Sequence, residues 1–598
     1  MNKPSNYLTF TQNVTLRLCG GISLLAIVLG LINLCPVRPT LGNAADPPPV
    51  AKEPSIGGIP LFATWPQNQK PDAAIVLSGE TFGFLQPCGC SRPQKGGLER
   101  REQFILSLKA KGWPVAGVDL GDIYPETVAV MDQGLLKYKM TMNALREMGY
   151  IAVGVGKTEF KVEIDRILGE YALQKEKPPF TLAGNLLGLA GGKPQPREVR
   201  FPGATRPMVD VAEFATVGSV SVSVVGIIGK SVSEDVAKAN FDSSITFEKN
   251  NRDFLQKVVA NLAANPKKPE LNILLFQGTS EEARMVAMDW PQFHVILCLA
   301  DDSEPPQYPT EVTGKLHPAG QKTLVIQVGH KGRYVGILGA FKKAGGGVDL
   351  KYQLVPLGEE YITPGTEAEA QKANPILPIL EAYAKQVRDR KFIDDVPRVP
   401  HPAQILQPKL NLTYIGSAKC QNCHAAEFVK WQGTPHSGAF NALEKIAKRP
   451  SLRQFDGECI VCHTVGFGYK TGYEDQIKTP QLMHVGCESC HGPGSGHAAD
   501  PKNNALLALQ APWQQKPGDR LPDLAFMNKM ASLNGIQRGQ EKIAPAQLLL
   551  INKASEMCMR CHNHENDPNF DLYTYWPKIH HTAPPKNNGP NPNNQPNK

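Results

Sequence analysis

Hydrophobic and polar positions follow different patterns in the two halves of the chain. Between residues 73 and 357, short β-branched apolar runs alternate with segments whose apolar residues recur at helical spacing. The predicted strands are 73–77, 115–120, 150–155, 180–183, 217–228, 271–276, 293–299, 323–328, 334–338 and 348–355, and the predicted helices are 98–111, 133–148, 162–174 and 250–264. This alternation predicts an α/β domain over residues 71–360, which is long enough to bury its own core.

The second half has few strand patterns and long loops. Residues 361–410 contain one helical pattern, at 377–390, followed by a proline-rich stretch, and are predicted to be a helical linker. Residues 411–582 are predicted to form a mainly α, loop-rich domain. Residues 583–598 are rich in Asn and Pro, and we expect them to be disordered.

The first 70 residues have the pattern of an exported protein. An apolar run at 21–34 is preceded by Lys3 and Arg17 and followed by small residues, with cleavage expected after Ala44. Residues 1–44 are therefore predicted to be a signal peptide, or alternatively an uncleaved membrane anchor, although the run is short for a full span. Residues 45–70 are Pro-rich and are predicted to be a linker.

Composition narrows the class of protein. The chain has 598 residues, which suggests several domains, and a formal net charge of +8. This charge is modest for its length, so the composition indicates neither a disordered protein nor a nucleic-acid-binding one.

Four copies of the pattern Cys-x-x-Cys-His occur in the C-terminal half. This is the pattern of c-type haem attachment, in which two thiols add to the haem vinyl groups and the adjacent histidine is placed to ligate the iron. The pattern predicts four covalently attached c-type haems and uses eight of the thirteen cysteines. The attachment residues are Cys420, Cys423, Cys459, Cys462, Cys487, Cys490, Cys558 and Cys561, and the proximal iron ligands are His424, His463, His491 and His562.

A second ligand for each iron has to come from a histidine outside these motifs. A lone histidine is usually a core or surface residue, but in a region so rich in haem motifs ligation is favoured. We predict His436, His484, His497 and His580 as distal ligands, with His580 preferred to His581 because an apolar segment leads into it.

The segment from Tyr414 through the first motif, with Trp431, His436 and the third motif followed by Gly-Pro-Gly, resembles a known family. It is similar to the tetrahaem cytochrome c family that takes electrons from hydroxylamine oxidoreductase in ammonia oxidisers. The resemblance covers residues 412–581. It implies a mostly helical domain with stacked haem pairs, mainly bis-histidine irons and, in some members, one open iron.

The N-terminal half carries a second resemblance, in the order of five short motifs. They are Glu80-Thr-Phe-Gly, Gly96-Gly-Leu-Glu-Arg, Asp119-Leu-Gly-Asp, Gly156-Lys-Thr-Glu-Phe and Ala183-Gly-Asn. Together they resemble the metallophosphoesterase domain of 5′-nucleotidases, which implies a β-sandwich flanked by helices. The metal-binding histidines of that family are replaced by Phe82 and Thr158, and the later histidine loop is missing. We therefore expect a degraded metal site and no ordinary phosphoesterase activity.

The α/β domain also has cysteines and acids that suggest a second site. Cys88, Cys90 and Cys298, with Asp122 or Glu80, could form a thiolate metal site or a redox-active pair. The simpler interpretation, which we favour, is a disulfide or exposed thiols at Cys88 and Cys90 and a buried strand residue at Cys298.

Three functions are compatible with these patterns. The leading hypothesis is a periplasmic or otherwise extracytoplasmic electron carrier that serves redox partner proteins. The second is an oxidoreductase in which one five-coordinate haem binds a small nitrogen or oxygen species. The third is a phosphoesterase gated by the haems. We expect no nucleic-acid partner, and membrane association only through an uncleaved N-terminal segment.

Overall fold

The structure, a computed structural model, describes residues 55–581 except 57–58, 68, 89–90, 173–177, 191–192, 197–208, 241, 267, 448 and 517–518. The predicted signal peptide, the first part of the Pro-rich linker, Cys90 and the C-terminal tail lie outside the described residues. All described residues belong to one compact unit. Among them, no helix combines the length and the apolar character that crossing a membrane requires.

Two six-stranded sheets form the centre of the N-terminal domain. The strands are β1 (Ser55–Ile56), β2 (Ile59–Pro60), β3 (Ala73–Ser78), β4 (Val115–Asp119), β5 (Tyr150–Gly154), β6 (Phe180–Leu182), β7 (Leu186–Ala190), β8 (Lys193–Pro196), β9 (Ala212–Val217), β10 (Val220–Ile228), β11 (Ile245–Phe247), β12 (Leu271–Gln277), β13 (Val295–Cys298), β14 (Thr310–Val312), β15 (Thr323–Ile326), β16 (Tyr334–Lys342) and β17 (Val348–Pro356). One sheet has the order β17-β16-β3-β4-β5-β6 and the other β14-β15-β13-β12-β10-β9.

The two sheets pack face to face, and helices cover their outer faces. Apolar side chains of both sheets form one buried cluster between them. The helices of this half are α1 (Leu98–Ala110), α2 (Met131–Met148), α3 (Ile164–Ala172), α4 (Lys230–Ala239), α5 (Asn251–Ala264), α6 (Ser280–Asp289), α7 (Glu367–Ala373) and α8 (Ile376–Arg390). Helices α1, α2, α3 and α8 share a core with the first sheet, and α5 and α6 share one with the second. The predicted α/β sandwich flanked by helices is confirmed.

Two segments predicted to be linkers pack against this domain. Phe62 and Trp65, within the predicted linker 45–70, are buried, and the indole of Trp65 stacks on Trp113 with ring centroids 5.5 Å apart. Helix α8 places Leu377 and Leu380 in the core shared with α2. Ordered packing therefore begins before residue 73, because these aromatic side chains cover an open edge of the core.

The C-terminal domain consists of short helices joined by long loops, as predicted. The helices are α9 (Pro402–Leu406), α10 (Ser417–Cys420), α11 (Ala425–Gln432), α12 (Ala439–Asn441), α13 (Gly457–His463), α14 (Cys487–His491), α15 (Ser495–Ala499), α16 (Asn504–Leu509), α17 (Leu524–Ser532), α18 (Gly535–Gln540), α19 (Pro545–Met559) and α20 (Leu572–Ile579). Its described residues form only two small apolar clusters, so most of this domain lacks a side-chain core of its own.

Candidate haem-binding cluster

Each Cys-x-x-Cys-His motif begins in a helical turn. Helices α13 and α14 contain complete motifs, whereas α10 and α19 end within theirs. A helix returns to the same side after three or four residues, so the two thiols of each motif lie on one side of the turn. The motif of α13 begins at a capped helix end, because the carboxylate of Asp456 accepts a hydrogen bond from the backbone N–H of Glu458.

Hydrogen bonds fix the orientation of three motif histidines. Nδ1 of His463 lies 2.6 Å from the Ala439 carbonyl oxygen, and Nδ1 of His491 lies 2.6 Å from the Gln510 carbonyl oxygen. Nδ1 of His562 lies 2.7 Å from Oδ2 of Asp567. A carbonyl or carboxylate oxygen can only accept, so each Nδ1 carries the proton. In the neutral ring the lone pair on Nε2 then points away, available to a metal.

Three motif histidines face a second histidine ring. The rings of His424 and His497 have their centroids 6.1 Å apart. The same separation of 6.1 Å is found between His436 and His562 and between His491 and His581. Thus two of the predicted distal ligands, His436 and His497, lie opposite motif histidines.

This spacing suits two histidines on opposite sides of one metal ion. Metal–histidine bonds are about 2 Å long and a ring centroid lies about 1 Å beyond the nitrogen, so two such rings are separated by about 6 Å. The observed 6.1 Å, the paired thiols and the oriented Nδ1 atoms are all compatible with a c-type haem at each of these three places.

The other two predicted distal ligands have different surroundings. Nδ1 of His484 accepts a hydrogen bond of 3.2 Å from the backbone N–H of Phe440, so a neutral His484 carries its proton on Nε2, the atom that would have to bind iron. His580 packs against Trp576 with ring centroids 5.8 Å apart. His581, which the sequence argument ranked second, faces His491 instead. No spacing in the sequence identifies His581 as a ligand, because it lies 90 residues from His491 along the chain.

The second motif lacks a facing ring. Among the described residues, no histidine ring is in ring contact with His463, whose Nδ1 is held by Ala439. Nδ1 of His484 accepts a hydrogen bond from the backbone N–H of Phe440, the residue after Ala439. His463 is therefore the one motif histidine in the described part of the chain without a second histidine opposite it.

Contacts between cysteines give the order of the motifs in space. Cys420 lowers the pKa of the neighbouring Cys487 thiol to about 7, so the first and third motifs are adjacent. Burial, and then the charges of the neighbouring Cys558 and Cys561, raise the pKa of the Cys490 thiol to about 12, so the third and fourth motifs are adjacent.

Cys462 lowers the pKa of the neighbouring Cys561 thiol, so the fourth motif is adjacent to the second. The four motifs therefore follow one another in space in the order first, third, fourth, second.

A buried glutamate links the first motif to the third. Glu488, between the two cysteines of the third motif, is 4% exposed. Its carboxylate accepts hydrogen bonds from the backbone N–H groups of Ile415 at 3.0 Å, Gly416 at 2.7 Å and Gly494 at 2.7 Å. Ile415 and Gly416 lead into the first motif, so a single side chain ties both motif turns together. No signal in the sequence indicates this role, because the donors are backbone groups distant along the chain.

Two acids of the predicted second site in the α/β domain, Glu80 and Asp122, interact with other groups of the protein. Glu80 follows β3 of the first sheet and His330 follows β15 of the second. Nε2 of His330 lies 3.4 Å from Oε1 of Glu80. Burial raises the pKa of Glu80 to about 7, against the opposing effect of its hydrogen bond with His330. Asp122, after β4, accepts a hydrogen bond of 2.7 Å from the backbone N–H of Thr158.

The two described cysteines of this predicted site, Cys88 and Cys298, lie in different surroundings. Cys298 is fully buried, and its thiol bonds to the Ile326 carbonyl. Cys88 instead contacts the cytochrome half, with its thiol 3.9 Å from the Asn566 carbonyl oxygen. Among the described residues, no group of three or more His, Cys, Asp or Glu side chains is arranged to hold a metal ion.

Ion pairs connect the α/β domain to the second and fourth motifs. Lys137 of α2 binds Glu458, just before the second motif, at 2.5 Å, and Lys331 binds Glu565, just after the fourth motif, at 2.5 Å. On another part of the interface the charges are reversed, because Arg449 of the cytochrome half binds Glu367 of α7 at 2.8 Å. The haem motifs at this end of the series are therefore directly contacted by the α/β domain.

Comparison with known proteins supports the resemblance of the C-terminal half. Residues 419–492 match the family described as cytochrome c554 and c-prime. The chain is 30% identical over 166 residues to cytochrome c-554 of Nitrosomonas europaea, covering 26% of this chain and 59% of that protein. The predicted resemblance of the C-terminal half is thus confirmed, and this family implies covalently bound c-type haem. The chain spans less than two thirds of this relative, so the activity and partners of the whole relative do not transfer to it.

Similar solved structures include two phosphoesterases. One is a 5′-nucleotidase precursor from Thermus thermophilus, with 21% identity, a TM-score of 0.40, and coverage of 53% of this chain and 59% of that chain. The other is the calcineurin-like phosphoesterase YfkN from Bacillus subtilis, with 13% identity, a TM-score of 0.37, and coverage of 52% and 97%. The identities are too low to transfer an activity to this chain.

Proposed function

We propose that this chain is an exported c-type cytochrome with four haems that carries electrons between redox partner proteins. The observation that supports it most strongly is the set of three facing histidine pairs, each beside a Cys-x-x-Cys-His turn, with ring centroids 6.1 Å apart. Four c-type haems bound here would supply one-electron Fe(II)/Fe(III) chemistry.

In this proposal the protein supplies attachment, ligation and order. The four motif cysteine pairs attach the haems. The proposed ligand pairs are His424 with His497, His562 with His436, and His491 with His581. His581 thus takes the ligand role that the sequence assigned to His580. The closeness of cysteines from neighbouring motifs supports a row of attachment sites, which would suit electron transfer along one path. The α/β domain covers the end formed by the second and fourth motifs.

A second candidate function depends on His463. Because the described residues place no histidine ring opposite it, we propose that the second motif holds a five-coordinate iron. Such an iron has one position for a small nitrogen or oxygen species, as in the oxidoreductase alternative. The orientation of His463 by the Ala439 carbonyl leaves its Nε2 available as the single protein ligand.

The hydrolytic alternative has less support. Phe82 and Thr158 occupy positions where the resembling family has histidines, and the remaining acids are held by protein hydrogen bonds. We expect the purified protein, with added Mn²⁺ or Zn²⁺, not to hydrolyse nucleotides or model phosphate esters. Metal-dependent turnover would restore this alternative.

Haem counting and electron paramagnetic resonance distinguish the first two functions. The mass of the mature protein and its pyridine haemochrome absorbance give the number of attached haems, and a number below four would refute both. In the oxidised protein, four low-spin signals support a carrier alone. Three low-spin signals and one high-spin signal that shifts on adding a small ligand support the open iron.

Two histidine variants test the ligand assignment. His581→Ala should convert one further low-spin signal to high-spin, whereas His580→Ala should leave all signals unchanged. The opposite result would restore His580 as the ligand. Because the two residues are adjacent, each variant controls for disturbance of the chain end.

A further inference from the structure

The histidine of the fourth motif differs from the others in what holds its Nδ1 atom. His463 and His491 donate to backbone carbonyls, whereas His562 donates to the carboxylate of Asp567 at 2.7 Å. Asp567 is only 5% exposed, so this interaction is shielded from water. A carboxylate accepts a hydrogen bond more strongly than a neutral carbonyl does, and it makes the bonded imidazole a more electron-rich ligand.

The same carboxylate receives a hydroxyl group from each domain. Oη of Tyr575, in the cytochrome half, lies 3.4 Å from Oδ1 of Asp567. Burial raises the pKa of Asp567, but neighbouring groups, among them His562 and the hydroxyl of Ser91, hold it below its usual value. Ser91 belongs to the α/β domain. Ser91 follows directly after the Cys88-Gly-Cys90 sequence, so a segment that the haem motifs do not include reaches the neighbour of an axial ligand.

Further contacts hold the Ser91 segment against the loop after the fourth motif. Nδ2 of Asn569 donates to the Arg92 carbonyl at 2.6 Å. Nε2 of Gln94 donates to the Asn566 carbonyl at 2.9 Å. These bonds lie on both sides of Asp567 in the sequence, so the position of Ser91 relative to the carboxylate is fixed by a built interface.

We infer that the α/β domain sets the reduction potential of the haem held by the fourth motif, through the series Ser91, Asp567 and His562. This inference rests on the proposed function, in which His562 ligates a haem iron. It gives the α/β domain a role in electron transfer that needs no metal of its own. Ser91 and Asp567 are positioning residues, since neither touches the iron.

The two residues act in opposite directions. Negative charge drawn towards His562 favours the oxidised iron, so the Asp567 carboxylate lowers the potential. A hydroxyl that donates to this carboxylate withdraws part of its charge, so Ser91 moves the potential back up. Removing Asp567 should therefore raise the potential, and removing the Ser91 hydroxyl should lower it. A purely structural disturbance gives no reason for opposite signs.

The test is a spectroelectrochemical titration of the full-length holoprotein that resolves the haem midpoint potentials. Asp567→Asn keeps the shape of the side chain and removes the charge. We expect one midpoint to rise, with a change of about tenfold in the reduction equilibrium constant, which is about 59 mV for one electron. Ser91→Ala should lower the same midpoint by a smaller amount. Asp523→Asn is the matched control, because Asp523 is an exposed helix cap of the same domain and Asn also caps helices.

Two further variants keep the inference testable if Asp567→Asn or Ser91→Ala fails to fold. Ser91→Thr keeps the hydroxyl and should keep the wild-type midpoints, and Asp567→Glu keeps the charge and should shift the midpoint less than Asp567→Asn. Unchanged midpoints in Asp567→Asn, or a shift of the same sign in Ser91→Ala as in Asp567→Asn, would overturn the inference. A wild-type haem count below four would refute the proposed function instead, and that count is measured separately.

Discussion

Replacing Glu488 by Gln tests whether one buried carboxylate holds the first and third haem motifs together. The substitution keeps the size of the side chain, but it turns one of the two acceptor oxygens into an NH₂ group. That group would face the backbone N–H donors of Gly416 or Gly494, which now lie 2.7 Å from the carboxylate oxygens. At least one buried N–H group is then left without an acceptor.

The expected loss follows from this count. Hydrogen bonds to a charged group contribute about 1.5–3 kcal/mol each, and a buried N–H without an acceptor costs about 1–3 kcal/mol. Since the lost bond and the orphaned donor are one event, Glu488→Gln should lower the free energy of unfolding of the cytochrome half by about 2–4 kcal/mol.

Urea unfolding provides the measurement. Unfolding of the cytochrome half is followed by the Soret band of the holoprotein, and that of the α/β half by far-ultraviolet circular dichroism. Glu556→Gln, an exposed glutamate on α19, is the control and should change stability by less than about 0.5 kcal/mol. A Glu488→Gln variant as stable as this control would refute the reasoning.

Two other substitutions test the interface and a buried acid. Lys137→Met should lower stability by about 1–2 kcal/mol, because Lys137 is 7% exposed and its ion pair with Glu458 is lost. The control is Lys139→Met, because Lys139 lies on the same helix and is partly exposed. In calorimetry the control should show no such loss of stability, and equal losses in the two variants would contradict this account. Burial raises the pKa of Glu102 from 4.5 to about 7, so its contribution to stability is present at acid pH and is lost as pH rises towards 7. Glu102→Gln should therefore be more stable than wild type by about 2 kcal/mol at about pH 8, with little difference near pH 4.5, and an advantage that does not depend on pH would contradict this.

The fold of the α/β half was largely predictable because its core strands are apolar and separated by regular helices. The predicted helix 98–111 is observed as Leu98–Ala110, and the predicted strand 271–276 as Leu271–Gln277. The missed elements have weak patterns. Strand β8 is Lys-Pro-Gln-Pro and has no apolar alternation. The apolar face of helix α6 consists of Ala283, Val286 and Ala287, which span little more than one turn.

The candidate haem sites were predictable only where chemistry is local in sequence. Attachment cysteines and proximal histidines lie within five residues, so the motif alone identifies them. The facing pair His491 and His581 and the link from Glu488 to Gly416 form only when distant segments meet. The role of Ser91 was hidden for the same reason, since its partner lies in the other half of the chain.

The interface charges encode the orientation of the two halves. The α/β half presents Lys137 and Lys331 to acids of the cytochrome half, but it presents Glu367 to Arg449. Because each half carries both signs on the contact surface, a rotated arrangement would bring like charges together and be rejected. The observed arrangement satisfies all three pairs, and in it the Ser91 segment meets the loop after the fourth motif.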